Sequence, residues 1–80
     1  MKVDVNYFGV IAEKINCKQE QLVFAFNEES KIDLRAFFIA KYPIIETLKF
    51  KIAINKQFSE VLTESIDTTE IAILPPFAGG

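Results

Sequence analysis

Polar and apolar residues alternate with period two over residues 2–7. Val3, Val5 and Tyr7 fall on one side, and Lys2, Asp4 and Asn6 on the other. That period, carried by β-branched residues, predicts a half-buried strand. Gly9 interrupts it, and residues 10–15 fit either a short helix or a turn. Residues 20–26 alternate again, with Leu22, Phe24 and Phe26 on the inner side. Two short neighbouring strands predict an antiparallel hairpin with an elaborated connection.

The period then changes. Ser30 followed by Asp33 resembles a capping box with Asp in place of Glu, and Glu28 and Glu29 precede it as acidic residues near a helix N-terminus. Leu34, Phe37 and Phe38 stand at i, i+3 and i+4, with Lys31, Arg35 and Lys41 left for solvent. The spacing predicts the main helix, about three turns long. It ends near Lys41, because Pro43 disfavours helical geometry at Tyr42. Phe50, Ile52 and Ile54 alternate with Lys51, Ala53 and Asn55 as a third strand, and Asn55-Lys56 is a turn. Residues 58–62 add a short edge strand. Residues 70–74 form a last strand that Pro75 and Pro76 end, since neither can donate to a ladder.

One amphipathic helix over one face of such a sheet makes a two-layer α+β domain. The expected architecture is a ubiquitin-like β-grasp: a four- to five-stranded mixed sheet covered on one face by one main helix. Its first and last strands lie side by side at the centre. Residues 1–76 make up the domain, and residues 77–80 an extended tail.

Composition removes several functions. The 80 residues include no histidine and one cysteine, so no Ser–His or Cys–His pair, His-ligated metal or thiolate cluster is expected. A lone Cys17 forms no intrachain disulfide, which favours a reducing compartment. Nine Lys+Arg against eleven Asp+Glu leave a net charge of −2, unlike a nucleic-acid binder. No apolar run is long enough to span a bilayer and no signal peptide is apparent, so the cytoplasm is the expected location.

Local groups with chemical potential have bland readings. Glu28 and Glu29 read as a solvated cap, and Cys17 as an incidental loop thiol beside Lys18. Lys49, Lys51 and Lys56 read as a solvated strip or as a docking surface for an acidic partner. Eight phenylalanines exceed the obvious needs of a small core. Phe8, at the polar-face parity of the first strand, and Phe58 are open to either core or interface. Phe77, past the proline stop, is assigned to an interface.

The tail carries the sharpest signal. Of three glycines in the chain, two are Gly79 and Gly80, after Leu74-Pro75-Pro76-Phe77-Ala78. Glycines add nothing to a core but let an extended backbone thread a narrow channel. A carboxylate on Gly80 can be adenylated, and the acyl adenylate can then take sulfide to give a thiocarboxylate or an amine to give an isopeptide.

Over essentially its whole length the chain resembles the MoaD family, the small subunit of molybdopterin synthase within the ThiS/MoaD ubiquitin-like group. The residues that carry the resemblance are Lys2-Val3-Asp4-Val5-Asn6-Tyr7-Phe8, Ala53-Ile54-Asn55 and the tail from Leu74 to Gly80. It departs where many relatives carry an early Arg in the first helix (here Ile11-Ala12-Glu13), and where many have Asp-Gly-Asp before the last strand (here Asp67-Thr68-Thr69).

The resemblance implies a sulfur carrier with no autonomous catalytic site. A MoeB-type enzyme would adenylate Gly80, consuming ATP, and a sulfur donor would convert it to a thiocarboxylate. The tail (Pro75, Pro76, Phe77, Ala78, Gly79 and Gly80), with Phe8 and Phe58, would engage a MoaE-type large subunit in a heterotetramer. Sulfur would pass there to cyclic pyranopterin monophosphate. No bound cofactor, nucleic acid or membrane is implied. Sulfur carriage in a thiamin-type pathway, protein modification and an idle ubiquitin-like binding module are the alternatives.

Overall fold

The computed structural model describes residues 1–76. The strands are β1 (Lys2–Tyr7), β2 (Gln19–Val23), β3 (Lys31–Asp33), β4 (Lys51–Ile54), β5 (Gln57–Phe58), β6 (Val61–Thr63) and β7 (Glu70–Leu74). The helices are α1 (Gly9–Ile15) and α2 (Leu34–Lys41), and a 3₁₀ turn covers Pro43–Thr47. Five strands form a mixed sheet in the order β2-β1-β7-β4-β5, and β3 pairs with β6 in a separate ribbon. The domain is an α+β β-grasp.

The alternation in β1 becomes burial directly: Val3 and Val5 are fully buried and Tyr7 nearly so. Parallel β7 places Ile71 beside Val5 and Ile73 beside Tyr7, while antiparallel β4 sets Ile52 against Ile73. Leu34 and Phe38 of α2 and Ile11 of α1 close the same core. Tyr7 meets Phe38 edge-on, with ring centroids 6.1 Å apart. The predicted β1–β2 hairpin and the central pairing of the first and last strands are both present.

The start of the main helix differs from the sequence expectation. Ser30 is not its N-cap: it adopts φ 57° at the end of a turn in which the Glu29 N–H donates to Asn27 Oδ1. Residues 31–33 then pair with β6, and Asp33 caps α2 instead, its carboxylate accepting from the Ala36 N–H at 3.1 Å. The helix is therefore eight residues, about two turns rather than three. Glu28 and Glu29 sit exposed in the preceding turn, away from any helix N-terminus.

The single edge strand expected over residues 58–62 is two elements. β5 ends at Phe58, and the chain leaves the main sheet so that Leu62 pairs with Ile32 and becomes fully buried. Burying one leucine side chain is worth roughly 1.5–3 kcal/mol, more than the short edge pairing it replaces.

Candidate functional site

The β1–β7–β4–β5 pairings define the sheet face opposite the core. Because register partners share a face, Gln19, Asn6, Ala72, Ala53 and Phe58 form one row across all five strands. On the side where the chain leaves β7, Leu74 lies beside Lys51, and the Phe8 N–H donates to Ile73 O at 3.1 Å, extending the β1–β7 ladder. On the other side Asp4 is the register partner of Glu70, two carboxylates on adjacent strands.

Small residues at the centre and large ones around them make a hollow. Ala53 and Ala72 form the floor of a concavity of about 310 Å³, with Phe8, Phe58 and Leu74 as apolar walls and Lys56 and Glu70 on the border. Phe8 is 46 % exposed and Phe58 69 %, which answers the open choice between core and surface for both. Phe58 also lines a neighbouring hollow with Lys51, Ile52, Ser59 and Glu60, so its ring stands as a wall between recesses. The Lys51 ammonium lies 5.2 Å from that ring centroid. Of the predicted basic strip, Lys51 and Lys56 border these hollows, while Lys49, in the loop before β4, lines neither.

The base of the tail is held on two sides. β7 pairs with β1 and β4, and Leu74 is its last paired residue before Pro75. Gly9 opens α1 at φ 58°, and a Cβ built there would lie 2.8 Å from Pro75 Cγ. Pro75 and Pro76 are half-buried, whereas Phe77, Ala78, Gly79 and Gly80 lie outside the described residues.

Two polar clusters escaped the sequence reading. Glu20 Oε2 accepts the Tyr7 hydroxyl at 2.5 Å and the Tyr42 hydroxyl at 2.6 Å, tying β2 to β1 and to the end of α2. Burial, reinforced by the Glu20 hydrogen bond, pushes the Tyr42 phenol up to about 12 and the Tyr7 phenol further in the same direction. The second cluster is Asn55. Its Oδ1 accepts from the Thr69 N–H at 3.0 Å and the Glu70 N–H at 3.3 Å, and its Nδ2 donates to Asp67 O at 3.1 Å. The loop before β7 thus needs no glycine: none of residues 67–69 has a positive φ, and a side chain from the β4–β5 turn organises them. Asn55 and Lys56 take φ 48° and 71°, the two-residue turn expected there.

Cys17 lies half-buried between α1 and β2, its thiol directed at Gln19 O at 3.5 Å. Among the described residues no group of three or more His, Cys, Asp or Glu side chains is arranged to hold a metal ion. No helix among the described residues is long and apolar enough to cross a membrane. No protein-family model matches the chain, and no curated protein matches it.

Proposed function

We propose that this chain is a sulfur carrier of the molybdopterin-synthase type, with Gly80 as the working residue. What carries the reading is the motif Leu74-Pro75-Pro76-Phe77-Ala78-Gly79-Gly80 following the central strand of a β-grasp sheet. A strand paired on both sides gives the tail a rigid base, and two prolines stop the ladder from continuing into it. Four further residues, fully extended, span at most about 14 Å, enough to carry a carboxyl group into another protein's pocket.

The chemistry divides between proteins. A Gly80 carboxylate oxygen attacks the α-phosphorus of ATP on a MoeB-type enzyme, expelling pyrophosphate and forming an acyl adenylate. Sulfide attacks the acyl carbon, displaces AMP and leaves a thiocarboxylate. In a MoaE-type subunit the thiocarboxylate sulfur attacks a side-chain carbon of cyclic pyranopterin monophosphate and displaces an oxygen substituent. Water then hydrolyses the resulting thioester, leaving the sulfur on the pterin and Gly80 as a carboxylate. Two such deliveries build the dithiolene. The small subunit is the donor, and the partner supplies the pocket. The exposed Phe8 and Phe58 support this division, since apolar side chains left out of a small core serve a partner better than the fold.

Intact mass after incubation with an adenylating enzyme, ATP and a sulfur donor tests the reading. Exchange of one terminal oxygen for sulfur is the expected product. Lysine adducts of higher mass indicate a protein modifier instead, and an unchanged mass refutes activation of Gly80. Transfer to cyclic pyranopterin monophosphate rather than to a thiazole synthase separates the molybdopterin pathway from the thiamin one.

A further inference from the structure

The main sheet ends on one side at β2, and the outward peptide groups of that strand have no strand to pair with. The Tyr7 N–H donates to Lys18 O at 2.9 Å and the Phe24 N–H to Met1 O at 2.8 Å, so Lys18, Glu20, Leu22 and Phe24 turn their peptide groups toward β1. Gln19, Gln21 and Val23, the residues between, turn theirs away from it. Among the described residues, the one hydrogen bond to these outward groups is a weak one, from the Cys17 thiol to Gln19 O at 3.5 Å. Proteins ordinarily blunt such an edge with lysine, proline or a bulge. This edge carries none of them. Residues 19–26 read Gln-Glu-Gln-Leu-Val-Phe-Ala-Phe, the β1–β2 register runs unbroken from Lys2 and Val23 to Asn6 and Gln19, and Val23 is 74 % exposed. The opposite edge differs: β5 is two residues long and follows Lys56 directly.

We propose that β2 pairs antiparallel with β2 of a second copy of this chain, about a two-fold axis through Gln21, joining the two main sheets into one. Hydrogen bonding favours that centre. With Gln21 facing its own copy, Gln19 faces Val23, and every outward residue of the strand exchanges two hydrogen bonds with an outward partner. Moving the centre to Glu20 or to Leu22 leaves one outward residue of the strand without a partner in it, and the Glu20 centre also sets two carboxylates face to face. Charge agrees. In the Gln21-centred register Glu20 lies opposite Leu22 and Lys18 opposite Phe24, so no like charges oppose each other across the seam. The Glu20 carboxylate is already engaged by the Tyr7 and Tyr42 hydroxyls and lies 4.0 Å from the Lys41 ammonium, which offsets its charge. The short β5 offers β2 no matching strand at the far edge, so the contact is isologous and closes at two copies instead of growing into a filament. The axis is perpendicular to the sheet, which keeps both α2 helices on one side. β7 lies two places in from the seam, and its two copies run in opposite directions, so the Pro75 exits fall at opposite ends of the joined sheet.

Sedimentation of the full-length protein from about 10 µM to about 1 mM spans the range in which a small interface of this kind dissociates. The expected result is a monomer–dimer equilibrium in which the Gln19, Gln21 and Val23 amides gain hydrogen-exchange protection as concentration rises. Gln21→Pro removes an outward N–H that the β1 ladder does not use, so the monomer keeps its circular dichroism while the dimer weakens about tenfold or more. Val23→Lys, which changes only an exposed side chain, is expected to weaken the dimer as well and serves if the proline disturbs the fold. Cross-linking in a Cys17→Ser background reads the register. Gln21→Cys sets two thiols on Cα atoms about 5.5 Å apart and forms a disulfide with oxidised glutathione, whereas Gln19→Cys, which faces Val23, does not. A monomer at every concentration, a dimer indifferent to both edge variants, or protection confined to other strands overturns the proposal. So does preferential linkage through Gln19→Cys. None of these outcomes depends on activation of Gly80, so the two ideas fail separately.

Discussion

Replacing Asn55 tests whether one side chain organises the approach to the central strand. In Asn55→Ala two hydrogen bonds near 3.0 Å and the longer contacts to Glu70 N–H and Thr69 Oγ1 are lost. At roughly 1 kcal/mol for each short neutral bond and a few tenths for each long one, the loss is about 2–2.5 kcal/mol. Alanine also inherits φ 48°, which costs it about 1 kcal/mol more than asparagine. The sum is about 3 kcal/mol, or roughly 12–24 °C in Tm for a domain of this size. Asn55→Gly keeps the φ at little cost and is expected to lose only the hydrogen-bond share. Asn55→Asp keeps the acceptor and loses the Nδ2 donation, about 1 kcal/mol. Far-UV circular dichroism during urea and thermal unfolding reads all three variants. An alanine variant within 1 kcal/mol of the parent, or a glycine variant no better than alanine, refutes the assignment of this loop to Asn55.

Alkali should unfold the protein by way of its two linked tyrosines. Their phenols are held above the ordinary value near 10, so the stability they contribute is whole below pH 10 and drains away as pH rises toward 12. Tyrosinate absorbance and loss of ellipticity are expected to move together, and Tyr42→Phe to reduce the loss in that window. At the acid end, the Arg35 guanidinium, hydrogen-bonded in bidentate fashion to Glu60, holds that carboxyl below its usual range. Its contribution is present above the ordinary glutamate pKa and lost as pH falls through the lowered one. Because both side chains are over a third exposed, Glu60→Gln should flatten acid denaturation only slightly. Phe38→Ala, which empties a fully buried site, should cost about 3–5 kcal/mol and leave little folded protein by circular dichroism. Phe8→Ala and Phe58→Ala should each stay within about 0.5 kcal/mol of the parent, and a large loss for either would place it in the core.

Where local pattern and tertiary packing agree, the sequence was readable. β1 and β7 fall where alternation and prolines put them, because each buries one face against the same core. The Asn55-Lys56 turn was readable because Asn tolerates a positive φ. The start of α2 was not: Ser30 and Asp33 are both good caps, and the choice between them is made by β6, a strand more than 25 residues further on. The break between β5 and β6 follows from the same long-range pairing. The hollow was half legible. Phe8 and Phe58 stood out as excess aromatics, but its floor is two alanines brought into register by β4 and β7, and no local period announces that pairing. Glu20 gave no signal either, since the two tyrosines that converge on it lie 13 and 22 residues away.

The parallel pairing of β1 with β7 has a kinetic consequence. Asp4 and Glu70 are neighbours in the sheet, so the middle of the domain joins regions that are remote along the polypeptide. Until they meet, the β1–β2 hairpin and the β4–β5 hairpin are separate ribbons, each with an apolar strand whose edge groups are unpaired. Such topologies assemble slowly for their size, and open edges recruit other chains. Conditions that delay the joining should therefore favour aggregation over refolding, and a shortened chain lacking β7 should be trapped at that stage.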